Sequence, residues 1–490
     1  MGRPPSGRPI GGIRVPGVRS PSVTTEREAV RAGSAAWLDE LISWVRIPSV
    51  SADPAHHGDV AASAAYLADW LRRSGFPQVE VIDRGPALPA VLAHWPSGEP
   101  EAVRVVVYGH HDVQPALVED GWASDPFDPR VVDGLLHGRG ASDDKGVVAA
   151  HVLGLQAHLA ATGRTAPAVD LTLLVEGEEE SGSPHIGTLL RDNVDRLGAD
   201  VIVVSDTGVF AADTPSVCVG MRGLVACQVH VHGPGIDLHS GSFGGAVANP
   251  ITELARILAG IHDADRHIAI PGFYEGVIEP TPAERAETAA LPFDEQAWIA
   301  GAAASRAAVG EAGWSTLERV GIRPTAEING IWGGYTGPGV KTIVPSDAYA
   351  KLSFRLVGKQ DPAHIQRVVE DFLVSAAGPG VLLEVHWEGA GVAPVHVDDR
   401  HPANQAAKRA LGAAFDAETV LSTRDGGSGP EAEIAEVIGA PLIFVGVMTD
   451  EDQIHAPNER ASVDLLLRGG EAVAHLWREL AAVGRAGLTG

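Results

Sequence analysis

The chain has 490 residues, of which 37 are Lys or Arg and 63 are Asp or Glu, so its formal net charge at pH 7 is −26. A surface this acidic repels phosphate backbones, which argues against a nucleic-acid partner, although it can hold metal cations. The length exceeds what one hydrophobic core organises, so we expect two or more domains.

The chain contains two cysteines, Cys218 and Cys227, too few for a disulfide framework or a thiolate zinc site. A reducing, cytoplasmic location fits this composition. No apolar run approaches the ~18 residues that span a bilayer, so no membrane partner is expected. The first residues are rich in Pro, Gly and Arg and lack the apolar segment of a signal peptide, which predicts a disordered tail over residues 1–25.

The first part of the chain alternates helical and extended patterns. Apolar residues recur at helical spacing from Thr25 to about Arg46, and a second helix is predicted at about 59–73. Strands are then predicted at 79–82, 103–109, 170–176 and 200–206, with a helix at 146–162. Strands that alternate with helices predict an α/β fold with a mostly parallel central sheet covered on both faces.

The pattern changes near residue 219. Segments 224–233 and 348–357 alternate apolar and polar residues, as strands with one wet face do, and helices are predicted at 250–262 and 362–376. The α/β pattern returns after about 396, with a helix at 401–415, a strand at 441–447 and a helix at 461–482. We therefore expect an α/β domain formed by residues 26–217 and 397–490, with a small α+β domain, 218–396, inserted into it.

Polar residues cluster where the predicted strands end. Functional residues of open α/β sheets gather at the carboxyl ends of the strands. Five separate segments bring histidines or carboxylates to this edge, namely His110 to Asp112, Asp143 with Asp144, Glu178 to Glu180, Asp206, and His455. A lone histidine or aspartate there would be unremarkable, but five such segments together indicate a functional site.

This set of side chains suits a pair of divalent metal ions. Imidazole nitrogen and carboxylate oxygen are ligands of zinc, and also of manganese or cobalt. Two cations roughly 3.5–4 Å apart need a bridging carboxylate, lower the pKa of a bound water to about 7 and polarise a carbonyl. A further carboxylate must stay unligated to move protons. The crowded stretch LLVEGEEESGS, residues 173–183, offers glutamates for both tasks.

Nine motifs, in chain order, resemble those of the M20 family of metallopeptidases, and in particular its dipeptidase and carnosinase branch. They are GHHDVQP, GWASDPF, GRGASDDKG, EGEEESGS, VSD, DLHSGSFGG, SFR, GGSGP and IHAPNE. The resemblance runs from about residue 30 to the C-terminus. It implies a zinc-exopeptidase-like catalytic domain with an inserted ferredoxin-like lid that also forms a homodimer, and a small peptide as substrate.

The resemblance also implies a role for each matching residue. His110, Asp206 and a bridging Asp143 would hold one metal ion, and Asp143, Glu180 and His455 the other. Glu179 would be the general base and acid, and Asp112 would orient His110. The peptide bond between Asp143 and Asp144 is expected to be cis.

The lid carries further candidates by resemblance. His239 would reach the partner subunit's active site and stabilise the developing oxyanion. Asn329 and Arg355 would meet the substrate, and Arg355 suits a terminal carboxylate through a bidentate pair. Gly426, Gly427 and Ser428 would donate hydrogen bonds to the same carboxylate. Each candidate also has a purely structural interpretation. His239 would cap a helix, Arg355 would form a salt bridge, and residues 426–428 would form an ordinary turn.

The sequence departs from the family at two positions. His111 stands where relatives usually have an aromatic residue, and a second imidazole there could change the ligand set. Gly429 replaces a bulkier residue, which puts the shape of the substrate pocket in question.

Other functions remain open at this point. Ser142 and Lys145 fit the S-x-x-K motif of serine β-lactamases, although its partner motifs are missing. A metal-bound protein without catalysis is a second alternative, but it predicts loss of the base or of a ligand. Within the metalloenzymes, hydrolysis of dipeptides with a free C-terminal carboxylate is favoured, and an N-acyl-amino-acid deacylase with the same metal centre is the alternative.

Overall fold

The protein is described here from a computed structural model that places residues 25–303 and 306–488. The predicted disordered tail lies outside the described residues, apart from Thr25. The described α-helices are α1 Glu26–Val45, α2 His57–Arg73, α3 Lys145–Thr162, α4 Ile186–Asp192, α5 Ser240–Phe243, α6 Pro250–Ala259, α7 Pro282–Ala290, α8 Glu295–Ala303, α9 Thr316–Gly321, α10 Pro362–Ala376, α11 Pro402–Phe415, α12 Glu431–Ile438 and α13 Val463–Leu488.

The strands pair into five sheets within the described residues. They are β1 Gln78–Ile82, β2 Ala90–Trp95, β3 Arg104–His110, β4 Arg130–Val132, β5 Leu135–His137, β6 Asp170–Glu176, β7 Val201–Val204, β8 Ser216–Met221, β9 Gly223–His232, β10 Leu238–His239, β11 Thr325–Gly333, β12 Ile343–Val344, β13 Asp347–Leu356, β14 Leu382–Trp387, β15 Val395–His396, β16 Leu421–Asp425, β17 Leu442–Phe444 and β18 Arg460–Ser462.

The central sheet has six strands in the order β1-β2-β6-β3-β7-β17. Strands β6, β3, β7 and β17 run parallel, which confirms the predicted fold class, and β1 and β2 add an antiparallel edge. Sequence patterning does not predict β2, because its first four residues are all buried and show no alternation. The carboxyl ends of β3, β6 and β7 therefore lie side by side.

Helix α3 lies at the centre of the helical layer and packs against α1 and α13. It is apolar on all sides, as expected of a helix enclosed by protein, and its residues from Lys145 to Leu155 are all buried. Helix α1 begins at Thr25, whose side chain forms a capping box with Glu28. Trp37, Leu41 and Trp44 of this helix are buried in the core around the sheet.

The strand predicted at 441–447 is longer than the strand observed there. The segment 441–447 is extended only from Leu442 to Phe444. The chain then passes so close to the next segment that a Cβ on Gly446 would lie 1.7 Å from the carbonyl oxygen of Thr207. The tight crossing, which depends on glycine, ends the strand early.

A second sheet has its own hydrophobic core. Its four strands lie in the order β11-β13-β9-β14, all antiparallel, and the chain order β9, α6, β11, β13, α10, β14 is ferredoxin-like. Burial alternates along β9, with Val225, Cys227, Val229 and Val231 facing α6 and α10. The opposite face of the sheet carries polar side chains.

A small sheet in the order β15-β8-β16 brings distant parts of the chain together. Strand β8 runs parallel to β16 and antiparallel to β15. This pairing brings the turn that follows β16, Gly426 to Ser428, beside Arg222 at the end of β8.

None of the helices in the part of the chain that the structure describes is both long and apolar enough to cross a membrane.

Candidate metal centre

The five predicted segments meet at one edge of the central sheet. His110 ends β3, the Glu179–Ser181 turn of 3-10 helix follows β6, and Asp206 follows β7. Asp143 precedes α3, and His455 lies in the loop between β17 and β18. The peptide bond from Asp143 to Asp144 is cis, as the resemblance predicts.

Two groups of possible metal ligands share Asp143. One is His110, Asp143 and Asp206, the other is Asp143, Glu180 and His455, and the donor atoms of each group lie within 4.8 Å of one another. Asp143 Oδ1 lies 3.0 Å from His110 Nε2, while its Oδ2 lies 2.9 Å from His455 Nε2. Each oxygen of Asp143 thus faces a different histidine, as a bridging carboxylate requires.

The remaining contacts complete each group. His110 Nε2 lies 3.5 Å from Asp206 Oδ2, and His455 Nε2 lies 3.1 Å from Glu180 Oε2. Glu180 is further held by Gln114, whose Nε2 donates to Oε2 at 2.7 Å and whose main-chain N–H donates to Oε1 at 3.0 Å. The donor set, imidazoles and carboxylates in two groups of three, fits two divalent cations of the zinc, manganese or cobalt type.

Burial makes this concentration of negative charge costly. Burial raises the pKa of Glu179 to about 9, and the charges of Asp206 and Glu180 add to the effect. Burial raises the pKa values of Glu180 and Asp206 as well, and the charge of Asp143 raises both further. Without positive charge these groups would take up protons, so the site is built for cations.

The pKa values of the two ligand histidines are also raised, but in a histidine this shift favours the charged form. Hydrogen bonds to Asp143 and Glu180 raise the pKa of His455 to about 10. Burial alone would lower the pKa of His110, but hydrogen bonds to Asp112, Asp143 and Asp206 raise it well above its usual value. In both cases the carboxylates stabilise a positive charge at the place where a cation would bind.

Asp112 contacts both His110 and the turn that carries Glu179 and Glu180. Its Oδ1 lies 3.4 Å from His110 Nδ1, and its carbonyl oxygen lies 3.1 Å from the same nitrogen, so it fixes the imidazole from the side away from Asp143. The carboxylate also accepts the main-chain N–H groups of Glu179, at 3.2 Å, and Glu180, at 3.0 Å. One buried aspartate therefore positions a histidine and the turn that carries the two glutamates.

The four glutamates of EGEEESGS have different partners. Glu176 accepts from Tyr108 Oη at 2.6 Å and from Ser183 Oγ at 2.9 Å. Glu178 accepts from the main-chain N–H of Leu88 and contacts His185. Glu180 joins a donor group, whereas Glu179 belongs to neither. Two of the four therefore shape the turn.

His111 does not join either donor group. It is fully buried, its Nε2 lies 2.8 Å from the carbonyl oxygen of Pro89, and burial lowers its pKa to about 4. The second imidazole is therefore a neutral core residue, which removes the ambiguity raised by the sequence.

Glu459 is the last residue of the motif IHAPNE, and the sequence alone indicates no role for it. The side chain is fully buried and accepts the main-chain N–H groups of Gly140, Ser142 and Asp143. Its Oε2 also lies 2.6 Å from Arg139 Nη1. Glu459 therefore holds the loop that presents Asp143. A glutamate four residues after a ligand histidine gives no sequence signal of this role.

The S-x-x-K interpretation is not supported by the contacts. Ser142 Oγ donates to Asp452 Oδ2 at 2.6 Å. Lys145 Nζ donates to the carbonyl oxygens of Trp44, at 3.2 Å, and Ile47, at 2.8 Å. Each side chain has other partners, so they do not form a nucleophile and base pair.

The lid candidates occupy separate places. His239 is exposed, and its Nδ1 accepts the N–H of Gly241 at the start of α5, which is the capping alternative. Asn329 is exposed at an irregularity in the pairing of β11 with β13. Among the residues that the structure describes, neither belongs to a metal-ligand group of its own chain.

Arg355 and the turn after β16 do meet. Arg355 Nη1 donates to Ser428 Oγ at 2.8 Å, and the N–H of Gly427 donates to Asp425 Oδ1 at 2.7 Å. Arg222, which the sequence analysis missed, joins them, because Ser428 Oγ donates to its carbonyl oxygen. Burial and then the charge of Arg355 lower the pKa of Arg222 to about 10. The positive charges of Arg222 and Arg355 therefore lie close enough to affect one another.

One buried carboxylate near this turn was not among the predicted site residues. Glu431, the first residue of α12, is 2% exposed, and its Oε2 has no hydrogen-bond partner among the described residues. Burial raises its pKa to about 8, with smaller effects from Asp206 and Asp425. Gly429, where the sequence departs from the family, makes room for Glu431, since a Cβ at position 429 would lie 2.7 Å from Glu431 Oε1.

The comparisons with known proteins agree with this architecture. Residues 106–479 match Peptidase family M20/M25/M40. The chain is 30% identical to the Cys-Gly metallodipeptidase DUG1 of Candida albicans over 455 residues, which cover 88% of this chain and 92% of that protein. It is 30% identical to the human Beta-Ala-His dipeptidase over 467 residues, covering 91% and 90% of the two chains.

A solved structure extends the similarity to three dimensions. The di-peptidase Dug1p of Saccharomyces cerevisiae superposes with a TM-score of 0.75 at 26% identity, covering 94% of this chain and 99% of that one. The chain therefore belongs to peptidase family M20, in its dipeptidase and carnosinase-like branch. It is a hydrolase of the metallopeptidase class.

The Glu459 contacts generate a prediction. Glu459→Gln removes the charge that pairs with Arg139 and weakens the hold on the Asp143 loop. Breaking a buried ion pair costs about 3–5 kcal/mol, and loss of a residue that supports a metal ligand weakens metal affinity about 10–100-fold. We expect a lower melting temperature and weaker zinc binding, measured by calorimetry and by competition with a chromophoric chelator.

The matched control is Glu479→Gln, which breaks the exposed ion pair between Arg409 and Glu479, also 2.6 Å long. An exposed pair contributes only about 0–1 kcal/mol, so this variant should behave as the wild type. Equal behaviour of the two variants would show that Glu459 does not support the site.

Proposed function

We propose that the protein is a dinuclear-metal dipeptidase that hydrolyses the peptide bond of short substrates with a free C-terminal carboxylate. The observation that carries the proposal is the position of Asp143, whose two oxygens face His110 and His455 in separate donor groups. His110, Asp143 and Asp206 would hold one cation and Asp143, Glu180 and His455 the other, most simply zinc. The bound cations would supply activation of the attacking water and polarisation of the scissile carbonyl.

Glu179 is proposed as the general base and acid. It lies beside Glu180 but outside both donor groups, so its carboxylate is free to move a proton. Burial and neighbouring carboxylates raise its affinity for protons, which suits a group that takes a proton from water and passes it to the leaving amine. Asp112 would keep it in place through the N–H of Glu179.

Recognition of the C-terminal carboxylate is assigned to Arg355, together with Ser428, Gly427 and the newly identified Arg222. The contact between Arg355 and Ser428 supports this assignment, as does the presence of a second guanidinium group. A cleft of about 1040 Å³, lined by Thr207, Asp425 and Gly426 among others, leads to the same turn. Asn329 is exposed in the lid, and its proposed contact with the substrate is based on the family resemblance.

The choice between dipeptidase and N-acyl-amino-acid deacylase depends on the amino side of the scissile bond. A dipeptide has an ammonium group there, which needs a carboxylate partner, whereas an acyl group does not. Glu431 is buried, its Oε2 has no hydrogen-bond partner among the described residues, and the charge of Asp206 contributes to its raised pKa. We propose that it accepts the substrate ammonium group, which favours the dipeptidase. The names of the relatives, Cys-Gly metallodipeptidase and Beta-Ala-His dipeptidase, point the same way.

The proposal includes the domain organisation and assembly. Residues 218–396 would act as a lid inserted into a catalytic domain of 26–217 and 397–490, and would join two chains into a homodimer. The exposed position of His239 supports a role in the partner's site, where it would stabilise the developing oxyanion. A cytoplasmic location is consistent with the two unpaired, buried cysteines.

Glu179→Gln should separate catalysis from metal binding. The amide cannot accept the water's proton, so kcat should fall about 10²–10⁴-fold. Because Glu179 is outside the donor groups, the metal content, measured by plasma mass spectrometry, should stay at the wild-type value. A variant that keeps its kcat would exclude Glu179 as the base.

Mixed dimers test the shared site. Glu179→Gln and His239→Ala each impair both sites of their own homodimers, His239→Ala by about 10²–10³-fold in kcat. In a mixed dimer, one site combines an intact Glu179 with an intact His239 of the other chain. Co-expression with two affinity tags should therefore restore activity in the purified mixed dimer. Activity no higher than the average of the parents would refute the shared site.

A substrate screen tests the proposed reaction. Zinc-loaded enzyme should hydrolyse dipeptides and leave N-acetyl and N-succinyl amino acids largely intact, as followed by amine release. Glu431→Gln weakens a charge-assisted hydrogen bond, so its kcat/KM for dipeptides should fall about 10–100-fold. Hydrolysis mainly of the N-acyl substrates, with no effect of Glu431→Gln, would favour the deacylase.

A further inference from the structure

The exposed face of the four-stranded lid sheet carries a second cluster of metal-type side chains. His230 and His232 are two residues apart on β9, so they point to the same face, opposite the buried valines. Glu384 on β14 is paired with His230, and Asp347 on β13 is paired with His232. Three adjacent strands thus bring two imidazoles and two carboxylates together.

The distances between these side chains are short. Donor atoms of His230, His232 and Glu384 lie within 4.8 Å of one another. His232 Nε2 lies 3.2 Å from Glu384 Oε2, and His230 Nε2 lies 2.8 Å from Asp347 Oδ1. The side chain of His230 is 16% exposed and that of Glu384 is 47% exposed, so an ion can enter from solvent.

The two imidazoles of the cluster lie close together. The ring centroids of His230 and His232 are 3.5 Å apart, and Glu384 lies on the neighbouring strand. Donor atoms of both rings and of Glu384 can therefore reach one divalent cation.

We propose that His230, His232 and Glu384 form a zinc site on the lid, separate from the catalytic centre and sharing no residue with it. Two imidazoles and a carboxylate match the ligands that zinc takes in proteins, and they disfavour magnesium and calcium. Asp347 accepts a hydrogen bond from His230 and orients it, as carboxylates commonly do for ligand histidines. Tyr349 stacks on His230 at 4.2 Å and limits its movement.

The site would stabilise the lid. Strand β14 lies at the edge of the sheet, and Glu384 is its ligand, whereas both histidines lie on the neighbouring β9. A bound zinc ion therefore links the edge strand to the sheet through side chains. A ligand that binds only the folded state raises its stability, so zinc should raise the melting temperature of the lid.

Zinc stoichiometry tests the proposal on the full chain. Protein stripped with a chelator, dialysed against excess zinc and desalted is analysed by plasma mass spectrometry. His232→Ala and Glu384→Gln should each retain about one zinc ion fewer per chain than the wild type. Both should keep wild-type dipeptide hydrolysis, which also shows that they fold. His364→Ala changes a lid histidine outside the cluster, which contacts Glu275 and the carbonyl oxygen of Gly272, and should keep the wild-type count.

The expected difference of one ion does not depend on how many ions the catalytic centre holds, so it is independent of the proposed function. Cobalt provides a second readout, since a wild-type spectrum minus that of His232→Ala should show the visible absorption of a protein-bound cobalt ion. Equal zinc counts in the wild type, His232→Ala and Glu384→Gln would overturn the proposal and leave the cluster as hydrogen-bonded surface residues.

Discussion

Asp143, Glu179, Glu180 and Asp206 come from three segments and meet where water is largely excluded. Burial raises the pKa values of Glu179, Glu180 and Asp206, so the charged forms are unfavourable unless positive charge is supplied. His110 and His455 supply part of it only by taking up protons. Divalent cations would resolve the conflict, because they would keep the histidines neutral and the carboxylates ionised. The arrangement of the whole sheet edge follows from this need.

The surrounding protein holds these side chains mainly through main-chain groups. Glu459 binds three N–H groups of the loop before α3, and Asp112 binds the N–H groups of Glu179 and Glu180. These buried carboxylates cannot ligate a metal in those positions, but they fix the ones that can. The proposed recognition of the substrate carboxylate involves a different element, the turn after β16, where Arg355 of the second sheet meets Ser428. The site therefore joins two hydrophobic cores that are otherwise distinct.

The sequence predicts much of this because strand ends converge in a parallel sheet. That rule places all five polar segments at the sheet edge, and the family resemblance selects the metal ligands among their residues. Arg222, Glu431 and Glu459 could not be predicted, since each acts through a tertiary contact with no local pattern. Strand β2 was missed because it is covered on both faces. The role of His111, which the sequence leaves open, follows from its burial, because this imidazole beside a ligand is a neutral core residue.

The central claim is that Asp143 lies between two cations. The most direct measurement is an anomalous difference map at the zinc absorption edge from crystals of the zinc-loaded protein. The account predicts two peaks about 3.5–4 Å apart, one beside each oxygen of Asp143. A single peak at this position, or peaks that do not share Asp143, would contradict it.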